Sequence, residues 1–272
     1  MAAGATPGPI RSHNRAAWSR MVEGGNVWTR PVSGEQVARA RRGDWQLVLT
    51  PNKPVPADWY PPIAGASVLC LASAGGQQGP IFAAAGAKVT VFDNCPAQLA
   101  QDRQVAQRDG LEMELIEGDM ADLSALDDGR FDLVFHPVSN CFVPDVKPVW
   151  AEASRVLKPG GRLLAGFNNP AIYLFDDAAY DQGRLEVANP LPYSDAESLS
   201  QEQIAEFAAQ GRPLEFSHSL TDQIGGQLAA GLVLIGLYED TCLPEDDDPV
   251  SKYMPFFLAT CAIKPPHGCP GA

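Results

Sequence analysis

A chain of 272 residues, 45% of them hydrophobic, is long enough for one large domain or two small ones with a full core. Its formal net charge of -13, from 20 Lys and Arg against 33 Asp and Glu, disfavours nucleic acid as a partner, because gripping phosphates calls for a basic face. No apolar run reaches membrane-spanning length, and the opening MAAGATPGPI lacks the charged and apolar parts of a signal peptide and reads as a loose tail. The 6 cysteines are scattered without CxxC spacing, so reduced thiols in a cytoplasmic protein with no membrane contact are expected. Cys261, His267 and Cys269 come nearest to a metal set, but their spacing matches no zinc pattern, and no metal is expected.

In chain order, SHNRAAWSRMVE predicts a helix over 12–23 with Ser12 as N-cap. SGEQVARARRG predicts a second helix, with Ser33 and Gln36 forming a capping box and Gly43 as the stop. Its Arg39, Arg41 and Arg42 read as a solvated face. WQLVLT reads as a short strand, and the proline-rich PNKPVPADWYPP closes an N-terminal part, residues 1–62, taken as a tail and a helical lid. Residues 63–272 form the main domain. Strands are expected at 67–72, 88–93, 112–117, 131–136 and 161–167, with helices at 78–86, 96–108, 121–126 and 146–157. Such alternation implies crossovers and a mainly parallel sheet with helices on both faces. Residues of about 170–215 read as an acidic insertion carrying a helix at 199–209. A helix in SLTDQIGGQLAAG, a strand in LVLIGLYED and a last strand in PFFLATCAIK complete the chain.

VLCLASAGGQQGP, around 68–80, ends a strand in small residues and opens a helix, the place where open α/β sheets bind ligands. No Lys-Ser or Lys-Thr follows the glycines, so it is not a Walker loop. Ala72, Ala74 and Gln77 occupy the three glycine places of a dinucleotide fingerprint, which weakens an NAD or FAD reading. Asp93 ends the second strand about twenty residues on, where a carboxylate accepts hydrogen bonds from both ribose hydroxyls. The site suits an adenosine that carries a non-phosphate group.

VLCLASAGG, VTVFDNCPAQL, IEGDMADL, FDLVFHPVSN and EASRVLKPGGRLLAGF, in this order, resemble the motifs of class I S-adenosylmethionine-dependent methyltransferases over about residues 65–264. The resemblance implies an α/β Rossmann-like fold, a seven-stranded, mostly parallel sheet with the last strand antiparallel, and S-adenosylmethionine as cofactor. It implies that Ala72, Ser73, Ala74, Gly75, Gly76 and Gln78 of the loop contact that cofactor. Asp93, Asn94 and Gln98 would do so after the second strand, Asp119 and Met120 around adenine, and His136 and Pro137 at the fourth strand. Two departures stand out. The family's acid in the first strand is Cys70 here, and two motif glycines are Ala72 and Ala74. Alanine fits such a loop if its φ stays negative while Gly75 and Gly76 take the positive values.

HPVSN replaces the Asn/Asp-Pro-Pro-aromatic motif used on planar nitrogens, which leaves a small-molecule acceptor. His136 at the strand tip, Asn140, Tyr173 and His218 are the catalytic candidates. Trp18, Asn26, Trp28 and Asn168 are the acceptor-side candidates, aromatic walls being suited to a sulfonium. Trp45 and Trp59 are expected only to pack. With no obvious base, a small thiol or sulfide is the preferred acceptor, since thiols need a base least. O- or N-methylation of a small metabolite, and S-adenosylmethionine binding without turnover, stand as alternatives. Nothing in the sequence indicates an oligomeric state.

Overall fold

The computed structural model describes residues 7–266. His267 and Cys269 lie outside these. Seven strands form one sheet in the order β3-β2-β1-β4-β5-β7-β6. They are β1 Ser67–Leu71, β2 Lys88–Asp93, β3 Met113–Glu117, β4 Phe131–His136, β5 Leu157–Asn168, β6 Val233–Asp240 and β7 Phe257–Ile263. β1 to β5 run parallel, and β7 is antiparallel to both β5 and β6. This is the Rossmann-like arrangement that the sequence resemblance implies.

The helices are α1 Pro7–Glu23, α2 Gly34–Ala40, α3 Gln78–Ala84, α4 Pro96–Asp109, α5 Lys147–Val156, the single turns α6 Asp177–Tyr180 and α7 Asp195–Ser198, α8 Gln201–Gln210 and α9 Gly226–Ala229. Local chemistry sets most of their ends. Ser33 and Gln36 make the reciprocal capping box of α2, and Ser200 and Gln203 make that of α8. Pro96 opens α4, where its missing N–H is no loss, and Gly110 at φ 61 closes it in the left-handed region.

The differences from expectation have local causes. α1 starts at Pro7, not at Ser12, because Pro7 and Pro9 are tolerated in a first helical turn. Ser12 instead lies inside the helix and bonds back to the Gly8 carbonyl at 2.9 Å. WQLVLT forms only an isolated bridge, Val48 to Pro54, since prolines leave no ladder to extend. Residues 121–126 form turns in which Asp119 and Asp122 bind amides two residues on, and these turns displace the expected helix. The helix before β6 opens with a π-helical turn over Thr221–Gly225.

Two apolar clusters cover the two sheet faces. One joins β1, β2 and β4 side chains to Leu47, Leu49, Val55 and Trp59, so the segment before residue 62 shares the main core. Trp59 stacks on Tyr238, and Trp45 packs edge-on against Tyr60 and Phe82. The other is centred on Trp150 of α5, fully buried, whose indole N–H donates to the Asp222 carbonyl at 3.0 Å. A third, small cluster holds α1 to the insertion through Ile10, Leu214 and Phe216. Each such burial contributes about 1.5–3 kcal/mol, and Asn14 adds buried hydrogen bonds to both the N–H and the C=O of Leu214. α1 is thereby fixed across the carboxyl ends of the strands.

Candidate active site

A cavity of about 400 Å³ opens where β1, β2, β4 and β5 end, under α1. Its wall takes Ala72, Ala74 and Gln78 from the loop after β1, Asp93, Asn94 and Gln98 after β2, Asp119 and Met120 after β3, and Pro137 after β4. Trp18, Trp28 and Asn168 line it from the N-terminal segment and from the end of β5.

The loop after β1 has an unexpected backbone. Ala72 and Ala74 take φ values of 46 and 59, while Gly75 is not in the left-handed region and Gly76 is, at 71. Each alanine there costs roughly 1–2 kcal/mol, the kind of strain that functional loops hold. Gly75 is required for a different reason: its amide donates to Gln98 Oε1 at 2.8 Å, and a Cβ would meet the Gln98 carbonyl oxygen at 2.2 Å. From the other side, Val32 N–H donates to the Gly76 carbonyl at 2.8 Å and Gln77 Nε2 to the Arg30 carbonyl at 3.1 Å. The N-terminal segment thus clamps the loop directly.

Asp93 receives the Cys95 amide on Oδ1 at 2.7 Å, and Oδ2 has no partner among the described residues. Burial pushes its carboxyl up to about 6, with the Cys95 amide offsetting part of that. Gln78 Oε1 is buried without a hydrogen-bond partner among the described residues. A free carboxylate oxygen and an orphaned amide oxygen on one cavity wall fit a ligand that donates hydrogen bonds, as a ribose and an amino group do. Asn94 is tied to α1, its Oδ1 accepting from Arg11 Nε at 2.9 Å.

None of the four catalytic candidates has its side chain among the cavity-lining residues. His136 is fully buried, with Nδ1 at 2.9 Å from the Leu71 carbonyl and the ring edge-on to Trp150. Its Nε2 has no partner among the described residues, and burial lowers its pKa to about 4, so the ring is neutral at pH 7. Asn140 exchanges amide hydrogen bonds with Gln223 at 2.9 and 3.3 Å. His218 Nε2 sits 3.0 Å from the Asn140 carbonyl. Tyr173 stands just behind the wall. Ser73, Gly75 and Gly76 belong to the loop without lining the cavity, and Asn26 caps the turn that carries Trp28, accepting from its amide at 2.9 Å.

The residue that the sequence reading missed is Glu215. It lines the cavity with Asn168, Cys141 and Phe257. Asn168 Nδ2 donates to the Tyr173 hydroxyl at 2.8 Å, and that hydroxyl donates to Glu215 Oε2 at 2.6 Å. Burial raises the Glu215 carboxyl above its usual range. The signal was a lone acid between Leu214 and Phe216, whose side chains enter the small apolar cluster while Glu215 turns the other way.

Comparison with known proteins gives the family. A methyltransferase domain family matches residues 69–165. The chain is 47% identical over 253 residues, 93% of its length and 98% of the relative's, to the uncharacterized methyltransferase YbaJ of Bacillus subtilis. In fold it is similar to an S-adenosylmethionine dependent methyltransferase from Mesorhizobium loti, with a TM-score of 0.58 at 18% identity over 76% of this chain and 94% of that one. It is also similar to the 1,6-didemethyltoxoflavin-N1-methyltransferase of Burkholderia thailandensis, solved with S-adenosylhomocysteine, with a TM-score of 0.57 at 16% identity over 97% and 93% of the two chains. The chain belongs to the S-adenosylmethionine-dependent methyltransferases of class I.

Proposed function

We propose that the acceptor is a small molecule, bound in the cavity beneath α1 and methylated there. One observation carries this reading: a single cavity joins Asp93, Asp119 and the β1 loop at one side of the β1–β4 boundary to Asn168 and Glu215 at the other. On this reading Asp93 holds the ribose hydroxyls, Asp119 and Met120 flank adenine, and the strained loop with Gln78 holds the amino-acid end. S-adenosylmethionine supplies an electrophilic methyl group on a sulfonium.

The protein's share is positional and electrostatic. Trp18, pinned edge-on to Phe142 at 5.3 Å between centroids, and Trp28 wall the cavity against water. Holding the acceptor in line contributes up to roughly 7–11 kcal/mol of the barrier. The preference for a thiol acceptor rested on the lack of a base, and Glu215 at the acceptor side removes that ground. The charge of -13 supports a small acceptor over nucleic acid. A cytoplasmic location is part of the same proposal, and no helix among the described residues is long and apolar enough to cross a membrane.

Calorimetry with S-adenosylhomocysteine, followed by its detection as product against a panel of small acceptors, tests the reading. Binding with turnover supports it. Binding without turnover on any acceptor favours a cofactor-binding protein, and no binding overturns the assignment of the cavity.

A further inference from the structure

Glu215 stands on the wall of a mostly apolar cavity and has no ion-pair partner among the described residues. Its nearest guanidinium neighbour in charge terms, Arg212, is paired with Asp177. Its own N–H is held by Asp195 Oδ2 at 2.7 Å, which fixes the backbone, and Tyr193 holds the other Asp195 oxygen at 2.8 Å. On its side chain only Oε2 is engaged, by Tyr173, and Oε1 has no hydrogen bond among the described residues. Asn168 in turn donates to Tyr173, so the tyrosine proton is committed to the carboxylate. Such a relay orients a carboxylate on the cavity wall and leaves one of its oxygens without a hydrogen bond among the described residues.

The charge around it points the same way. The cavity lining carries the carboxylates Asp93, Asp119, Asp145 and Glu215 against one cation, Arg11, whose Nε is bonded to Asn94. Strand order separates the acids by task. Asp93 and Asp119 follow β2 and β3, whereas Glu215 stands with Asn168 and Phe257, from β5 and β7, across β1 and β4. Glu215 is half-buried at the cavity wall, where a carboxylate is stabilised by a cation that enters beside it, and an acceptor that carries its own positive charge supplies one.

We propose that Glu215 binds the protonated amino group of a small, otherwise apolar amine and takes its proton, which makes the acceptor class an alkyl ammonium. In the step this implies, the proton passes from nitrogen to the Glu215 carboxylate. The freed lone pair forms the N–C bond as the S–C bond breaks, and that bond's electron pair stays on sulfur. Glu215 then returns the proton to water. A thiol or an alcohol brings no positive charge to satisfy the carboxylate. The proposal rests on the methyltransferase reading of the same cavity.

The test is calorimetry on the full chain saturated with S-adenosylhomocysteine, using propylamine and benzylamine with the matched alcohols and thiols as probes. A charge-assisted pair predicts that the amines bind at least about tenfold tighter than their isosteres. Glu215→Gln levels that preference while S-adenosylhomocysteine affinity is retained. Tyr173→Phe, which keeps the carboxylate, keeps the preference. Equal binding of alcohol or thiol by the wild-type protein, an amine preference that survives in Glu215→Gln, or no amine binding at millimolar concentration overturns the proposal. The wild-type comparison decides even if a variant misfolds. Failure of S-adenosylhomocysteine itself to bind overturns the cavity assignment as a whole.

Discussion

Gly75 and Gln98 are in contact through both backbone and side chain: the Gly75 amide donates to Gln98 Oε1, and a methyl group on Gly75 would overlap the Gln98 carbonyl oxygen at 2.2 Å. The loop after β1 and the first turn of α4 therefore move as one piece. Gly75→Ala must drive them apart. We expect a stability loss of about 1–3 kcal/mol, as for overpacking elsewhere, and S-adenosylhomocysteine binding weakened beyond what that loss explains. Urea midpoints and calorimetry on the same preparation check both, and unchanged affinity would separate the loop from the ligand.

Ala72 and Ala74 give the opposite prediction. Glycine for alanine usually costs stability through the unfolded chain, by about 0.4–1 kcal/mol. At φ 46 and 59 it also relieves about 1–2 kcal/mol of left-handed strain. Ala72→Gly and Ala74→Gly should each leave stability unchanged or raise it by up to about 1 kcal/mol. Ala100→Gly, on the exposed face of α4, should lower it by about 1 kcal/mol. If all three variants lose stability equally, the two loop alanines do not hold these angles.

The strand-helix alternation was legible because buried parallel strands such as Val68–Leu71 and Leu133–Phe135 read as unbroken apolar runs. The cavity wall at the ends of β1, β2 and β3 was legible as well, because its residues are adjacent in sequence at strand ends. On the opposite side Trp18, Trp28 and Asn168 were legible as wall candidates, but Glu215 and its link to Tyr173 were not. Glu215, Tyr173 and Asn168 come from segments 42 and 5 residues apart and meet only through the packing of the insertion. His136 was misjudged because alternation fixes which face of a strand a residue takes but not how deeply it is covered. Its face is the one that α5 covers, so Trp150 meets the ring in place of a ligand. The backbone of Ala72 and Ala74 was hidden for a related reason: residue type gives a preference for φ, not its value in a loop that Val32 and Gln98 hold at Gly76 and Gly75.

On the proposed reading, in which Asp93 holds the ribose, this residue sets a pH limit on cofactor affinity. Its carboxyl is raised to about 6 in the free protein by burial, and it must be ionised to accept from two hydroxyls. Affinity for S-adenosylhomocysteine is therefore full well above pH 6 and falls as the pH drops through that value and the carboxylate protonates. Asp93→Ala should weaken binding at pH 8 by about tenfold or more, from the loss of hydrogen bonds to a charged acceptor, and should remove most of the change between pH 7 and 5. Calorimetry across that range decides, and a wild-type affinity flat down to pH 5 would rule the role out.

Asp102 makes the strongest prediction about stability. It lies on α4 beneath the loop, 1% exposed, beside Gly79, and neither carboxylate oxygen has a hydrogen-bond partner among the described residues. Burial pushes its pKa up to about 8, and the nearby Gly76 amide offsets only part of this. In the unfolded chain the same group titrates near 3.8. Between those values the native state keeps a proton that the unfolded state has lost, so stability falls as pH rises from about 4 to about 8. Asp102→Asn cannot ionise and carries no such penalty. Whatever the amide itself costs to bury is the same at every pH, so the signature is the slope. The variant should gain on the wild type by roughly 2–4 kcal/mol more at pH 8 than at pH 4, the order set by a shift of several pKa units. Urea denaturation of both proteins without cofactor, at intervals from pH 4 to 9, measures this difference. Parallel curves would mean that Asp102 is ionised in the native state and that a partner for it stands closer than the structure places one.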